Sequence, residues 1–214
     1  MNKIMQIEFS GLCSNCYVIQ NGDDYVLVDT SAPSKRRPLK NALLQIGCVP
    51  GKLKLIVLTH SDFDHSGNTA YLQEKYSCPV MLHEKDAPAV ETGDMFVVKN
   101  KKSLIASMYV NLFLRIKRFS PDVFPKDGQD LSEYGIDAKI IFLPGHSQGS
   151  IGVLTAQKDL ICGDLLENRK QPNIYFPDDD ELAAKSVEKL RKMDIHTVYP
   201  GHGEAFLWQE FLEE

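Results

Sequence analysis

The sequence predicts an α/β chain, with short apolar strands alternating with helices. Three observations predict it. Short apolar runs recur and several give way to stretches of helical spacing. The alternation occurs on both sides of a basic middle segment, with no linker or low-complexity stretch between. Histidines and aspartates cluster just past the ends of the apolar runs, where loops at a sheet edge converge.

Met5, Ile7 and Phe9 alternate with Gln6, Glu8 and Ser10, the pattern of a half-buried strand. Cys16 to Ile19 and Tyr25 to Val28 are predicted as a hairpin, with Asn21-Gly22 as its turn. The second of these strands runs into Asp29-Thr30. Lys35 to Ile46 is predicted helical, with Pro38 near its first turn and Gly47 as its stop. Leu55 to Leu58 is predicted as a buried strand, followed by the loop Thr59 to Gly67. Asn68 to Tyr76 is predicted as a short helix, Pro79 to Leu82 as a strand and Glu84 to Val90 as a helical turn.

Between Met95 and Pro121 there are six basic residues, Lys99, Lys101, Lys102, Arg115, Lys117 and Arg118, and no acid. Leu104, Ile105, Met108, Leu112 and Ile116 recur at helical spacing. We read 95–121 as a helical insertion into one 214-residue domain: a packed cap, a lid over a site, a patch for a membrane or an anionic substrate, or a homodimer contact. Beyond it, Ala138 to Leu143, Ile151 to Thr155, Leu160 to Cys162 and Thr197 to Tyr199 are predicted strands, and Glu181 to Met193 a helix behind Asp178, Asp179 and Asp180.

Composition bounds the function. Apolar content of 43% and charged content of 25% are those of a globular chain able to build a core. A net charge of -5 argues against a broad nucleic-acid surface. No run is apolar and long enough to cross a bilayer, and the first residues lack a signal-peptide pattern. Five cysteines without framework spacing fit a reducing compartment, so a cytoplasmic chain is expected. Cys13-Ser14-Asn15-Cys16 precedes a strand and has no second pair, so it is expected to be structural. His83 and His196 are expected to be structural or surface groups.

The candidate site is Asp29, His60, Asp62, Asp64, His65, His146, Asp164 and His202. Imidazoles and carboxylates together suit Zn, Fe or Mn better than Ca or Mg. Gly145, Gly163 and Gly201 each precede a candidate, where a residue without Cβ lets the chain turn sharply.

The order of these pieces resembles a known family. Thr59-His60-Ser61-Asp62-Phe63-Asp64-His65 resembles the His-x-His-x-Asp-His signature of the metallo-β-lactamase fold superfamily. Val28-Asp29-Thr30, Pro144-Gly145-His146, Cys162-Gly163-Asp164 and Pro200-Gly201-His202-Gly203 resemble its other motifs, in order. The resemblance implies an αββα sandwich, two mixed sheets flanked by helices with the site at one edge. It implies two divalent metal ions, zinc first. One would be held by His60, Asp62 and His146, the other by Asp64, His65 and His202, with Asp164 bridging. Asp29 would orient ligands, and Asp64 would orient the attacking water.

One position departs from the signature: Asp62 stands where the family's second His is usual. A harder, charged donor shifts preference toward Fe or Mn. The expected function is hydrolysis of a small ester, thioester, lactone or phosphoester by metal-activated water. The alternatives are an iron-dependent oxidoreductase of the same fold, like the persulfide dioxygenases or di-iron members, and a non-catalytic binding protein. With 12 residues after His202, the helical domain by which glyoxalase II-like thioesterases hold glutathione is not expected.

Overall fold

Side chains that alternate along a strand commit its sheet to two buried faces, and this decides the layering. The computed structural model describes residues 2–9, 11, 13–100 and 116–213. One mixed sheet holds β1 (Lys3–Ile7), β2 (Cys16–Asn21), β3 (Asp24–Val28), β4 (Leu53–Val57) and β5 (Val80–Met81), in that order. β1, β2 and β3 pair antiparallel, and β3, β4 and β5 parallel. The other holds β6 (Ala138–Phe142), β7 (Ile151–Thr155), β8 (Asp159–Asn168), β9 (Asn173–Ile174), β10 (Thr197–Gly203) and β11 (Phe206–Leu207). Its order is β11-β10-β8-β7-β6, with β9 beside β8.

The alternation is visible residue by residue. Tyr17 and Ile19 of β2, Leu55 and Val57 of β4 and Ile161 of β8 meet in one apolar layer between the sheets. Cys16 and Val18 face the opposite way, toward Leu39 and Leu43 of the helix Arg36–Gln45 and Leu72 of the helix Thr69–Tyr76. On the far side, Leu160 and Cys162 face Val187 and Leu190 of the helix Asp180–Arg191. Helices thus cover the outer face of each sheet, and the αββα sandwich that the family resemblance implies is the fold.

Local chemistry sets the helix ends. Asp179 accepts from the backbone N–H of Leu182 at the start of Asp180–Arg191, and Lys189 and Arg191 sit in its last turn. The helix Arg36–Gln45 follows a 3-10 turn, Pro33–Lys35.

Several expectations need correction. Asp164 and His202 do not lie past their strands but within them, because β8 and β10 run on beyond their apolar cores as Asp159–Asn168 and Thr197–Gly203. The two strands run parallel there, with register shifts at Pro200 and His202, so polar residues continue the ladder. Phe63–Ser66 forms a short helix inside the loop read as irregular. Met95–Val98 is a 3-10 helix. The amphipathic helix expected over Leu104 to Ile116 lies, apart from Ile116, outside the described residues, and so do the lid and dimer roles tied to it. Among the described residues no helix is long and apolar enough to cross a membrane.

Ile161 is fully buried between the sheets. Ile161→Ala should lower stability by about 2–5 kcal/mol in urea unfolding, whereas Leu44→Ala, at a half-exposed helix position, should change it by less than about 0.5 kcal/mol.

Candidate metal centre

Four chain segments deliver polar side chains to the same edge of the sandwich. The loop after β4 carries His60, Asp62, Asp64 and His65; the loop after β6 carries His146; β8 carries Asp164 and β10 carries His202. Asp164 stands among them. Its Oδ1 is 3.2 Å from His65 Nε2. Its Oδ2 is 3.4 Å from His202 Nε2, 3.8 Å from His146 Nε2 and 3.9 Å from His60 Nε2. His202 Nε2 is also 3.3 Å from Asp64 Oδ2. Ligand-type atoms of His60, His146 and Asp164 lie within 4.8 Å of one another, and so do those of Asp64, His65 and His202.

Asp29 does not enter this space but stands behind it. Its φ of 61° is left-handed, an uncommon conformation for a residue with a side chain. Its Oδ1 accepts from Thr59 N at 2.8 Å, and its Oδ2 accepts from Thr59 Oγ1 and from His65 Nδ1, each at 2.8 Å. Because the Thr59 hydroxyl donates to Asp29, it is an acceptor for His60 Nδ1, 3.0 Å away. Both Nδ1 atoms therefore carry protons, and both Nε2 atoms face the centre. Likewise His146 Nδ1 lies 3.1 Å from the Phe176 carbonyl, which can only accept.

The result is a buried cluster of electron-pair donors aimed at one another. His60 Nε2, His65 Nε2 and Asp164 Oδ1 find no hydrogen-bond partner. A ring nitrogen 3.2 Å from a carboxylate oxygen needs positive charge between them, a proton or a metal ion. Burial opposes charge on His65, but Asp164 and Asp29 outweigh it and raise its pKa well above the usual value. Burial likewise opposes charge on His202, and hydrogen bonds to Asp164 and Asp64 raise it to about 9. His60 is held well below its usual value, because burial and the neighbouring His65 and His146 outweigh the pull of Asp62 and Asp164. Asp164 is held well below the usual carboxylate range: burial works against its charge, and His65 and His202 overcome that.

The backbone is shaped to bring these groups close. A Cβ on Gly201 would collide with Asp164 Oδ1 and approach His65 Cε1 to 2.8 Å. The segment expected to be merely structural, Cys13 to Cys16, also braces the centre. Its Ser14 donates to the Asp64 carbonyl, and Asn15 Nδ2 donates to the carbonyls of Pro200 and Gly203 on either side of His202. Cys16 itself is buried in the core, as expected.

Three contributors were not read from the sequence. Asp86, fully buried, accepts from Ser61 N, Ser147 Oγ and Gly149 N, tying the His60 loop to the His146 loop. Tyr175 stands with its ring centroid 5.2 Å from that of His202 and 6.2 Å from that of His146. Lys99 reaches in from the basic segment, its Nζ 2.9 and 3.0 Å from the two oxygens of Asp62. Asp86 is one aspartate among many in the sequence, and nothing in its spacing marks it. His83, by contrast, packs on Phe142 and His196 is exposed, as expected.

With this fold and this cluster the chain belongs to the metallo-beta-lactamase superfamily, whose family profile it matches over residues 11–202. It is 26% identical to the probable metallo-hydrolase YflN of Bacillus subtilis (strain 168), over 94% of this chain and 84% of that protein. It is 27% identical to the probable metallo-hydrolase MJ0888 of Methanocaldococcus jannaschii, over 94% of this chain and 93% of that protein. Among solved structures it resembles the B3 metallo-beta-lactamase BLEG-1, with a TM-score of 0.75 at 22% identity, covering 99% of this chain and 97% of that one. It also resembles TTHA1623 in a di-iron-bound form, with a TM-score of 0.72 at 25% identity, covering 95% and 94%.

Asp86→Ala removes the acceptor of Ser61 N and one of the two acceptors open to each of Ser147 Oγ and Gly149 N. It should lower urea-measured stability by about 1–3 kcal/mol or more, and Asp86→Asn, which keeps a carbonyl acceptor, should lower it less.

Proposed function

We propose that the chain is a metal-dependent hydrolase that splits a small ester, thioester, lactone or phosphoester with activated water. The observation that carries this reading is the pair of histidines whose Nδ1 protons are taken up by Asp29 and Thr59, so that both Nε2 atoms face the buried carboxylate Asp164. Residues behind the ligands commonly fix metal-binding imidazoles in this way. His60, Asp62 and His146 would hold one divalent ion, and Asp64, His65 and His202 the other, with Asp164 between them. The nitrogen-and-oxygen donor set fits Zn first, and Asp62 makes Fe or Mn competitive.

A divalent ion held there supplies Lewis-acid chemistry and lowers the pKa of a water from 15.7 toward about 7. The chain's residues do the rest. Asp29 holds His65 in orientation, and Asp164 keeps the two triads in register. Asp64 is less buried than Asp164 and is placed to orient the attacking water and accept its proton. A cleft of about 360 Å³ beside His146, lined by Phe96, Lys99, Phe176, Pro177 and Asp178, gives an apolar part of the substrate a wall to lie against.

A second reading, an iron-dependent oxidoreductase, is favoured by Asp62 and by the similarity to a protein solved in a di-iron-bound form. Bound iron with oxygen consumption would select it over hydrolysis.

His60→Ala and Asp164→Ala should each abolish turnover on a panel of chromogenic ester, lactone and phosphodiester substrates. The circular dichroism of the fold should be kept; full activity in either variant would remove the site assignment. Metal uptake also has a sign. Without metal, His202 holds its proton up to about pH 9, and His65 is raised as well. A metal must displace those protons. Apparent metal affinity should therefore rise as pH increases from about 6.5 to about 9, with proton release in buffer-dependent calorimetry. Affinity independent of pH across that window would contradict it.

A further inference from the structure

The two triads do not meet equal conditions, and the difference is Lys99. It lies just after the 3-10 helix Met95–Val98, and the neighbouring Asn100 N–H is fixed on Asp178 Oδ2 at 2.7 Å. Its side chain is buried and points into the centre, not to solvent. Nζ lies 2.9 Å from Asp62 Oδ1, 3.0 Å from Asp62 Oδ2 and 3.4 Å from both Nε2 and the carbonyl of His146. His146 Nε2 and Asp62 Oδ2 are 3.1 Å apart. His146 Nε2 and Asp62 Oδ2 this close need positive charge between or beside them, a proton or a cation. The lysine provides one. Accordingly Asp62 belongs to neither of the two close groups of ligand-type atoms.

We propose that the Lys99 ammonium is a built-in cation for the His60–Asp62–His146 half of the centre, so that the chain binds one divalent ion tightly, in the Asp64–His65–His202 half with Asp164, and a second only when Lys99 withdraws. The inference rests on the metal reading above and refines it. Geometry supports it. The ammonium contacts both Asp62 oxygens and lies 3.4 Å from His146 Nε2, so it takes the side of Asp62 and His146 that a divalent ion in that half would need. An ammonium and a divalent ion that close would repel each other strongly in a low dielectric. Asp at position 62 then has a local meaning: a carboxylate cancels the ammonium's charge, whereas a neutral imidazole could only accept its hydrogen bond.

The test compares metal-free wild type with Lys99→Met, which keeps the stem and removes the charge, and with Lys99→Arg, which keeps the charge. Each is loaded with excess Zn²⁺, desalted and analysed for metal per chain. Wild type and Lys99→Arg should retain about one ion per chain and Lys99→Met about two. Zn²⁺ should also raise the melting temperature of Lys99→Met by more than that of wild type, because Asp62 there lacks its cation until metal arrives. If wild type and Lys99→Met retain the same number of ions, whether one or two, the role given to Lys99 is overturned while the metal centre stands. If neither folded protein retains any ion, the metal reading itself fails and this inference with it.

Discussion

Everything at the functional edge depends on one constraint: buried atoms with lone pairs cannot face one another without positive charge between them. Asp164 meets four imidazole nitrogens at 3.2 to 3.9 Å. The fold tolerates this arrangement because the surrounding residues leave the nitrogens no alternative. Asp29, in a left-handed conformation, claims the His65 Nδ1 proton, and Thr59, which donates to the same aspartate, claims that of His60. The loop after β4 is further tied down where Asp86 accepts from Ser61 and Ser14 donates to Asp64. Such outlay on preorganisation is what a cation-binding site requires.

The layering explains why distant segments arrive together. Parallel pairing of β3 with β4 and of β8 with β10 brings the C-terminal ends of those strands to one edge. The inter-sheet layer built on Tyr17, Val57 and Ile161 holds the two edges in register. Gly201 lies between Asp164 and His65, where no side chain would fit.

Much of this was legible in the sequence because it is written in local patterns. The short apolar runs Cys16 to Ile19 and Leu55 to Leu58 and the helical stretch Lys35 to Ile46 mark the strands and helices from which the layers are built. The five polar motifs each follow or continue an apolar run, so the resemblance to the superfamily could be read from residues close in sequence. What was not legible depends on side chains that act across the fold. Asp86 pairs with residues 61, 147 and 149, and Asn15 with 200 and 203; neither has a local signature. The ends of β8 and β10 were misplaced because their ladders continue through polar residues that a hydropathy pattern reads as loop. Lys99 was read as one charge of a basic segment. Only the chain path shows that it turns inward to Asp62, 37 positions away.

The claim that the buried donor cluster is a metal centre is tested most directly by anomalous X-ray diffraction from crystals of the protein purified without chelator. The account predicts an anomalous peak at the absorption edge of zinc, iron or manganese, at about 2.0–2.2 Å from Asp164 and from Nε2 of His65 and His202. A well-ordered centre with no such peak, its nitrogens and carboxylates bridged by protons alone, would contradict it.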